Sequence, residues 1–187
     1  EEYYHKAIEA ETDKFGTGRF WSYVQLTMIY FDEDPYEAEE YLEEASEFAE
    51  ISEELSDVVY TMAHMMAIIF EQKKEEAKAI HWYEYSLDMK DREKAEEIGN
   101  RLLLLAVGAM AREDEELGKA AESALTQLAD RGNRVASMQL MKYWLQHREQ
   151  DEDGTQLSRA LHVAASLQNP FASYMLAKEY MGLGHML

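Results

Sequence analysis

Glu2-Tyr3-Tyr4-His5 places a carboxylate and an imidazole three positions apart, the spacing with which helices hold carboxylate-bridged di-iron centres. Such a centre draws on a second copy of the pair, and no other His in the chain follows a Glu by three residues. The pair therefore reads as a surface feature of a first helical turn. His64 within Met62–Met66, His81 beside Trp82-Tyr83, and His162 each stand alone. Zinc asks for three or four converging ligands, and with no Cys the chain offers no ligand spacing for it, so no metal and no cofactor is expected. Carboxylates are so abundant that a general acid and base could be nominated anywhere, and the abundance empties the signal. The sequence has no Gly-x-Ser-x-Gly elbow, no phosphate-cradling glycine loop and no dinucleotide fingerprint, so an enzyme is not expected. Met62, Met65, Met66 and the four leucines of Leu102–Leu105 could form an adaptable peptide groove. Their helical spacing more simply makes them a buried central layer.

These side chains must be carried by the elements of a chain of 187 residues, long enough to bury a sizeable core. Two Pro and 9 Gly leave little room for turn-rich all-β architecture. The longest apolar runs, Val58–Phe70 and Leu102–Ala111, fall short of the roughly 18 residues of a membrane span. The first residue is Glu, which reads as an excised or processed piece. Thirty-eight acidic and 18 basic residues give a net charge of -20, a field that repels nucleic acid and anionic lipid and favours basic partners. From Phe20 to Gln72 there are 14 acidic residues and no Lys or Arg, whereas Asn133–Leu187 holds 5 of each sign. The acidic half reads first as a solvated helix face, and second as a docking surface for a basic protein.

Helical periodicity dominates throughout. Asp34-Pro35 and Asn169-Pro170 each set a capping residue before a proline at the first helical position. Breaks are expected at Gly16–Gly18, Asp32–Asp34, Gln72–Lys73, Lys90–Asp91, Arg112–Glu115, Gly132-Asn133 and Gln150–Gly154. Short connections make consecutive helices antiparallel neighbours.

An internal repeat organises the C-terminal part. Ala124, Leu125, Ala129, Asn133, Ala136, Ser137 and Leu140 recur identically 36 positions later, from Ala160 to Leu176, and Trp144 matches Tyr180. Small residue, leucine and aromatic at i, i+4 and i+8 share one helix stripe, which Ser22-Leu26-Tyr30 repeats near the N-terminus. A second helix type alternates with it. Tyr3-Tyr4-His5-Lys6-Ala7 and Lys78-Ala79-Ile80-His81-Trp82-Tyr83 share an aromatic pair near a Lys-Ala step, and Ala38–Tyr41 with Glu44-Ala45 is a looser copy.

Together these residues resemble the Sel-1-like repeat, a relative of the tetratricopeptide repeat. Ala129–Asn133 followed by Ala136, Leu140 and Trp144 matches its pattern. So does Ala164-Ala165 followed by Asn169, Ala172, Leu176, Tyr180, Gly182 and Gly184. The match is good over 119–187, fair over 73–90 and weak elsewhere. Met141 and Ala177 stand where the pattern has Gly, and Gln146–Asp153 replaces its Gly-rich turn. Lys90–Met110 is out of register.

The resemblance implies an all-α, right-handed α-α superhelix (solenoid) of about four to five antiparallel helix hairpins, forming one domain over 1–187. Because Tyr3–Ala7 matches a second helix, a preceding helix is expected outside the chain, and Ala172–Leu187 is expected to be a final helix without a partner after it. Such repeats, common in bacterial proteins, imply a protein–protein interaction scaffold or adaptor gripping a peptide or folded partner on its concave face. Contact candidates are Trp21, Gln25, Tyr60, His64, Lys142, Tyr174 and Lys178. One alternative is an acidic inhibitor or immunity-type protein that blocks a basic site through Glu39, Glu40, Glu43 and Glu44, and the other is an enzyme or ligand-binding protein using a pocket in the groove. Nothing in the residues selects a compartment.

Overall fold

Side-chain caps fix most of the helix starts. Asp34 accepts the backbone N–H groups of Tyr36 and Glu37 at 3.1 and 3.3 Å. Asn133 takes those of Val135 and Ala136, and Asn169 those of Phe171 and Ala172. Asp91, Asp114 and Ser52 do the same for the helices that follow them. Each such bond satisfies a donor that a helix cannot pair internally.

The computed structural model describes residues 1–10, 16–49, 52–112, 114–151 and 153–181, at 179 the backbone alone. Among them are α1 (Glu2–Ala10), α2 (Thr17–Tyr30), α3 (Pro35–Ser46), α4 (Glu53–Lys73) and α5 (Glu76–Ser86), then α6 (Arg92–Met110), α7 (Glu115–Asp130) and α8 (Arg134–Gln146), and finally α9 (Thr155–Ser166) and α10 (Pro170–Tyr180). A short 3-10 turn spans Arg148–Gln150, and no strand occurs among the described residues. Gly182 and Gly184 of the repeat pattern lie outside them.

The chain divides into two units, Glu1–Leu102 and Leu103–Leu187. In the first, α1 packs on α2, α2 on α3, α3 on α4 and α4 on α5. In the second, α7 packs on α8, α8 on α9 and α9 on α10. Each is an all-α run of successive helix hairpins, the arrangement of a helical-repeat solenoid. Trp82, Phe20, Phe70, Leu26, Leu42, Met66 and Ile80 are fully buried in the first unit, and Leu125 in the second. Each contributes about 1.5–3 kcal/mol of transfer free energy.

The 36-residue repeat is a repeat of backbone as well as of sequence. At the end of α7, Gly132 N–H bonds Ala129 O at 2.9 Å and Asn133 N–H bonds Leu128 O at 2.9 Å. At the end of α9, Gln168 N–H bonds Ala165 O at 2.9 Å and Asn169 N–H bonds Ala164 O at 3.0 Å. Both are left-handed helix terminations followed by an Asn cap. Gly132 has φ 91°, and its counterpart Gln168 holds φ 66° without glycine's freedom. Trp144 is 8% exposed beneath its neighbours, while its counterpart Tyr180 is 78% exposed.

The expected boundaries need four adjustments, the first being that α5 ends at Ser86, four residues before the break expected at Lys90–Asp91. α4 runs through Lys73 and ends on Lys74 at φ 65°, a residue later than the expected break. α8 ends at Gln146, four residues early, because Arg148–Gln150 turns instead. A further turn at 47–49 separates α3 from α4.

Candidate functional site

α2 is buried along Phe20, Tyr23, Val24, Leu26 and Thr27, and α4 along Val59, Met62, Ala63, Met66, Ala67 and Phe70. Beside those buried stripes each helix carries a second, partly open one. Trp21, Val24, Gln25, Met28 and Phe31 follow one another at helical spacing on α2 and just past its end. Glu54, Asp57, Val58, Thr61, Met62 and Met65 do so on α4. Together with Lys90 they line an open cleft of about 570 Å³. Trp21 is 47% exposed, Met28 57% and Met65 46%.

The cleft wall is braced from behind. Trp21 meets the buried Phe20 edge-on at 5.1 Å, and Phe20 in turn contacts Phe48 at 5.7 Å. The buried Thr27 hydroxyl donates to Tyr23 O at 2.9 Å and is thereby paired. At the rim, Asp57 accepts the Lys90 backbone N–H at 3.4 Å, and the Lys90 ammonium faces Glu53 at 3.4 Å. The Lys90 charge is thus already partnered.

α5 is tied to the same unit by two carboxylates. Glu39, 8% exposed, receives the Trp82 indole N–H at 2.9 Å and pairs with Lys78, which lies over the Phe70 ring at 5.0 Å. Glu71 accepts the Tyr83 hydroxyl at 2.8 Å and the Arg101 guanidinium. Glu39 is therefore a structural anchor and not a docking residue, which corrects its place in the expected acidic surface. Burial together with its two partners takes it out of solvent.

Of the expected contact residues, Trp21 and Gln25 share the cleft. Tyr60 and His64 lie elsewhere on α4 and face α5, Tyr60 against Tyr85 at 5.6 Å and His64 against Tyr83 at 5.9 Å. Burial lowers the His64 pKa from its ordinary 6.5, opposed by nearby Glu97 and assisted by Lys94. In the second unit Lys142 is exposed on α8, and Lys178 sits 6.0 Å over the exposed Tyr174 ring. The sequence pattern marks none of Met28, Val58 and Phe31 as contact residues, and it offers Met65 for a peptide groove only as the second reading, after a place in the core. The expected buried layer divides accordingly: Met62, Met66 and Leu102 are core, whereas Met65 and Leu104 are exposed.

Two other concavities differ in chemistry. His5, Ile8, Tyr23, Glu40, Tyr41, Glu43, Glu44 and Glu47 line an open acidic cleft of about 610 Å³ beside α3. Burial, Glu37 and the other carboxylates nearby push the Tyr41 hydroxyl up to about 12. In the second unit Glu122, Thr126, Ser137, Trp144, Gln156 and Arg159 surround a space of about 20 Å³, the size of one water. Burial raises the Glu122 pKa against a hydrogen bond from Trp144, with Asp151 adding to the rise. Among the described residues no His, Asp and Glu side chains converge to hold a metal ion, and no helix is long and apolar enough to cross a membrane.

No family model, no curated protein and no solved structure matches this chain. The chain itself shows an all-α helical-repeat architecture, with an open, largely apolar cleft between α2 and α4 of the first unit.

Proposed function

We propose that this chain is a protein–protein interaction module of the Sel-1-like kind, one repeat domain over 1–187, and that the α2–α4 cleft is its principal binding surface. The observation that carries this reading is the gathering of Trp21, Met28 and Met65, each about half exposed, in one cleft. Single exposed apolar residues are ordinary on a protein surface, but three large ones in a shared concavity are a feature of interaction sites. Trp is also the residue most often found as a binding anchor. Tyr60, His64, Lys142, Tyr174 and Lys178 remain contact candidates outside the cleft, and the reading assigns the chain no catalytic step. The test is a photo-reactive residue in place of Thr61, activated in native extract. A specific cross-linked protein is expected, and its yield should fall about tenfold in a Met28→Gln/Met65→Gln variant. Cross-linking that ignores those two methionines overturns the reading.

The second reading is an acidic blocker of a basic site. The cleft lined by Glu40, Glu43, Glu44 and Glu47 favours it. It requires a complex that weakens steeply with salt and with charge reversal at Glu40, Glu43 and Glu44, but without Glu39.

A further inference from the structure

We infer that the α2–α4 cleft takes a basic amphipathic helix, with the helix's apolar stripe on Trp21, Met28 and Met65 and its Lys or Arg side chains on the surrounding carboxylates. This rests on the reading of the cleft as a binding surface, and it adds the chemistry of the occupant.

The form of the occupant follows from what the cleft lacks. Apart from the charged residues, its polar lining groups are Gln25, Thr61 and the single indole N–H of Trp21, and the Thr61 hydroxyl already donates to Asp57 O at 2.8 Å. An extended peptide laid on this floor would bury backbone N–H and C=O groups without partners, whereas a helix satisfies its own. From Trp21 to Phe31 the α2 stripe covers about 15 Å at 1.5 Å per residue, which matches about three turns of a bound helix. Methionine, unbranched and flexible, adapts to the knobs of such a stripe.

The sign of the occupant follows from charge. Glu54 and Asp57 line the cleft, Glu53 stands exposed on the same helix, and Asp32 and Glu33 are exposed directly after Phe31. No Lys or Arg occurs from Phe20 to Gln72, and Lys90, the one cation among the lining residues, faces Glu53. A second copy of the chain would bring another net charge of -20 to this rim. Like charges set opposite one another disfavour that pairing, and opposite ones steer a basic segment in.

The experiment uses three Trp-free synthetic peptides of 14 residues and the intact chain. One is a Leu/Lys helix with Leu at i, i+3, i+4 and i+7. The second has Glu for every Lys. The third keeps the Leu/Lys composition but carries two central prolines. Trp21 reports occupancy by fluorescence, because Trp82 and Trp144 are only 1% and 8% exposed, and calorimetry gives the affinity. The Leu/Lys helix is expected to bind with a Kd of about 1–10 μM and to shift Trp21 emission to shorter wavelength. Met28→Gln/Met65→Gln leaves the net charge unchanged and should weaken binding about tenfold or more, and Glu33→Gln/Glu54→Gln should reduce its salt dependence. Thermal melts confirm that these exposed substitutions leave the fold intact. Equal binding of the acidic or the proline peptide at Trp21 overturns the inference while leaving the cleft as a binding surface. Leu/Lys binding that ignores the methionine variant is general charge attraction and overturns it as well. Silence from all three peptides also overturns it, and the cross-linking from position 61 then decides the wider reading by itself.

Discussion

The Trp82 indole N–H points at Glu39 Oε1, 2.9 Å away across 43 positions of sequence, and joins α5 to α3. The other Glu39 oxygen holds Lys78, one helical turn before Trp82, so a single carboxylate fixes two successive rungs of α5. The Glu39 side chain is 10% exposed and that of Lys78 40%, so only the acid is committed to the interior.

Replacing Glu39 by Ala should cost about 1–3 kcal/mol, the penalty of a buried indole N–H left without an acceptor, because Lys78 can turn to solvent. Reversing the exposed Glu40, Glu43 or Glu44 should change stability by no more than about 0.5 kcal/mol each. Urea titrations of the four variants read the contrast directly. Equal sensitivity at all four positions would remove the anchoring role of Glu39.

Gln168 and Lys74 hold positive φ at helix ends where a glycine would sit without strain. Gln168→Gly and Lys74→Gly should each stabilise the chain by about 0.5–1 kcal/mol. Gly132→Ala, at φ 91° and with open space around the new methyl group, should destabilise it by about 1 kcal/mol through backbone strain alone. Thermal denaturation of the three variants, with opposite signs required, checks the assignment.

Glu122 is the group to follow with pH. Its folded pKa lies above the ordinary 4.5 because burial penalises the carboxylate. The folded state therefore binds the extra proton more tightly than the unfolded one, and stability falls as pH rises through 4.5 to the folded pKa. Glu122→Gln, which keeps an acceptor for Trp144, should be more stable than the parent at pH 7, and the advantage should vanish below pH 4.5. His64 works in the other direction. Its lowered pKa means that stability is complete above the ordinary 6.5 and declines as pH falls through 6.5 toward the folded value. An NMR titration of the His64 ring should place its midpoint below 6.5.

Trp21 should account for the solvent-exposed part of the fluorescence. Trp21→Phe is expected to remove the long-wavelength emission and most acrylamide quenching, leaving the signals of buried Trp82 and Trp144. Spectra before and after the substitution settle it.

Helix identity was legible wherever a capping residue or a glycine punctuated the pattern. Asp34 before Pro35, and Asn133 and Asn169 at equivalent places in the repeat, all cap as their types require. The turn at 47–49 was not legible, because Phe48 and Ala49 are buried there, 2% and 8% exposed, and continue the apolar rhythm of α3 without glycine or proline. The cleft was legible only in part. Trp21 and Gln25 lie off the buried stripe of α2 and were found that way. Met65 was hidden in a run whose neighbours Met62 and Met66 are core, since a one-residue step on a helix swings a side chain by about 100°. Glu39 was misjudged for a related reason: among so many surface acids, nothing in its local sequence marks the one that meets Trp82 from another helix.

The shared termination and cap at Gly132-Asn133 and Gln168-Asn169 mean that 36 residues form a natural unit of gain and loss. A gene that duplicated or dropped one such block in frame would hand each helix a neighbour with matching chemistry. The length of the array could then drift over generations while every joint within it stayed the same.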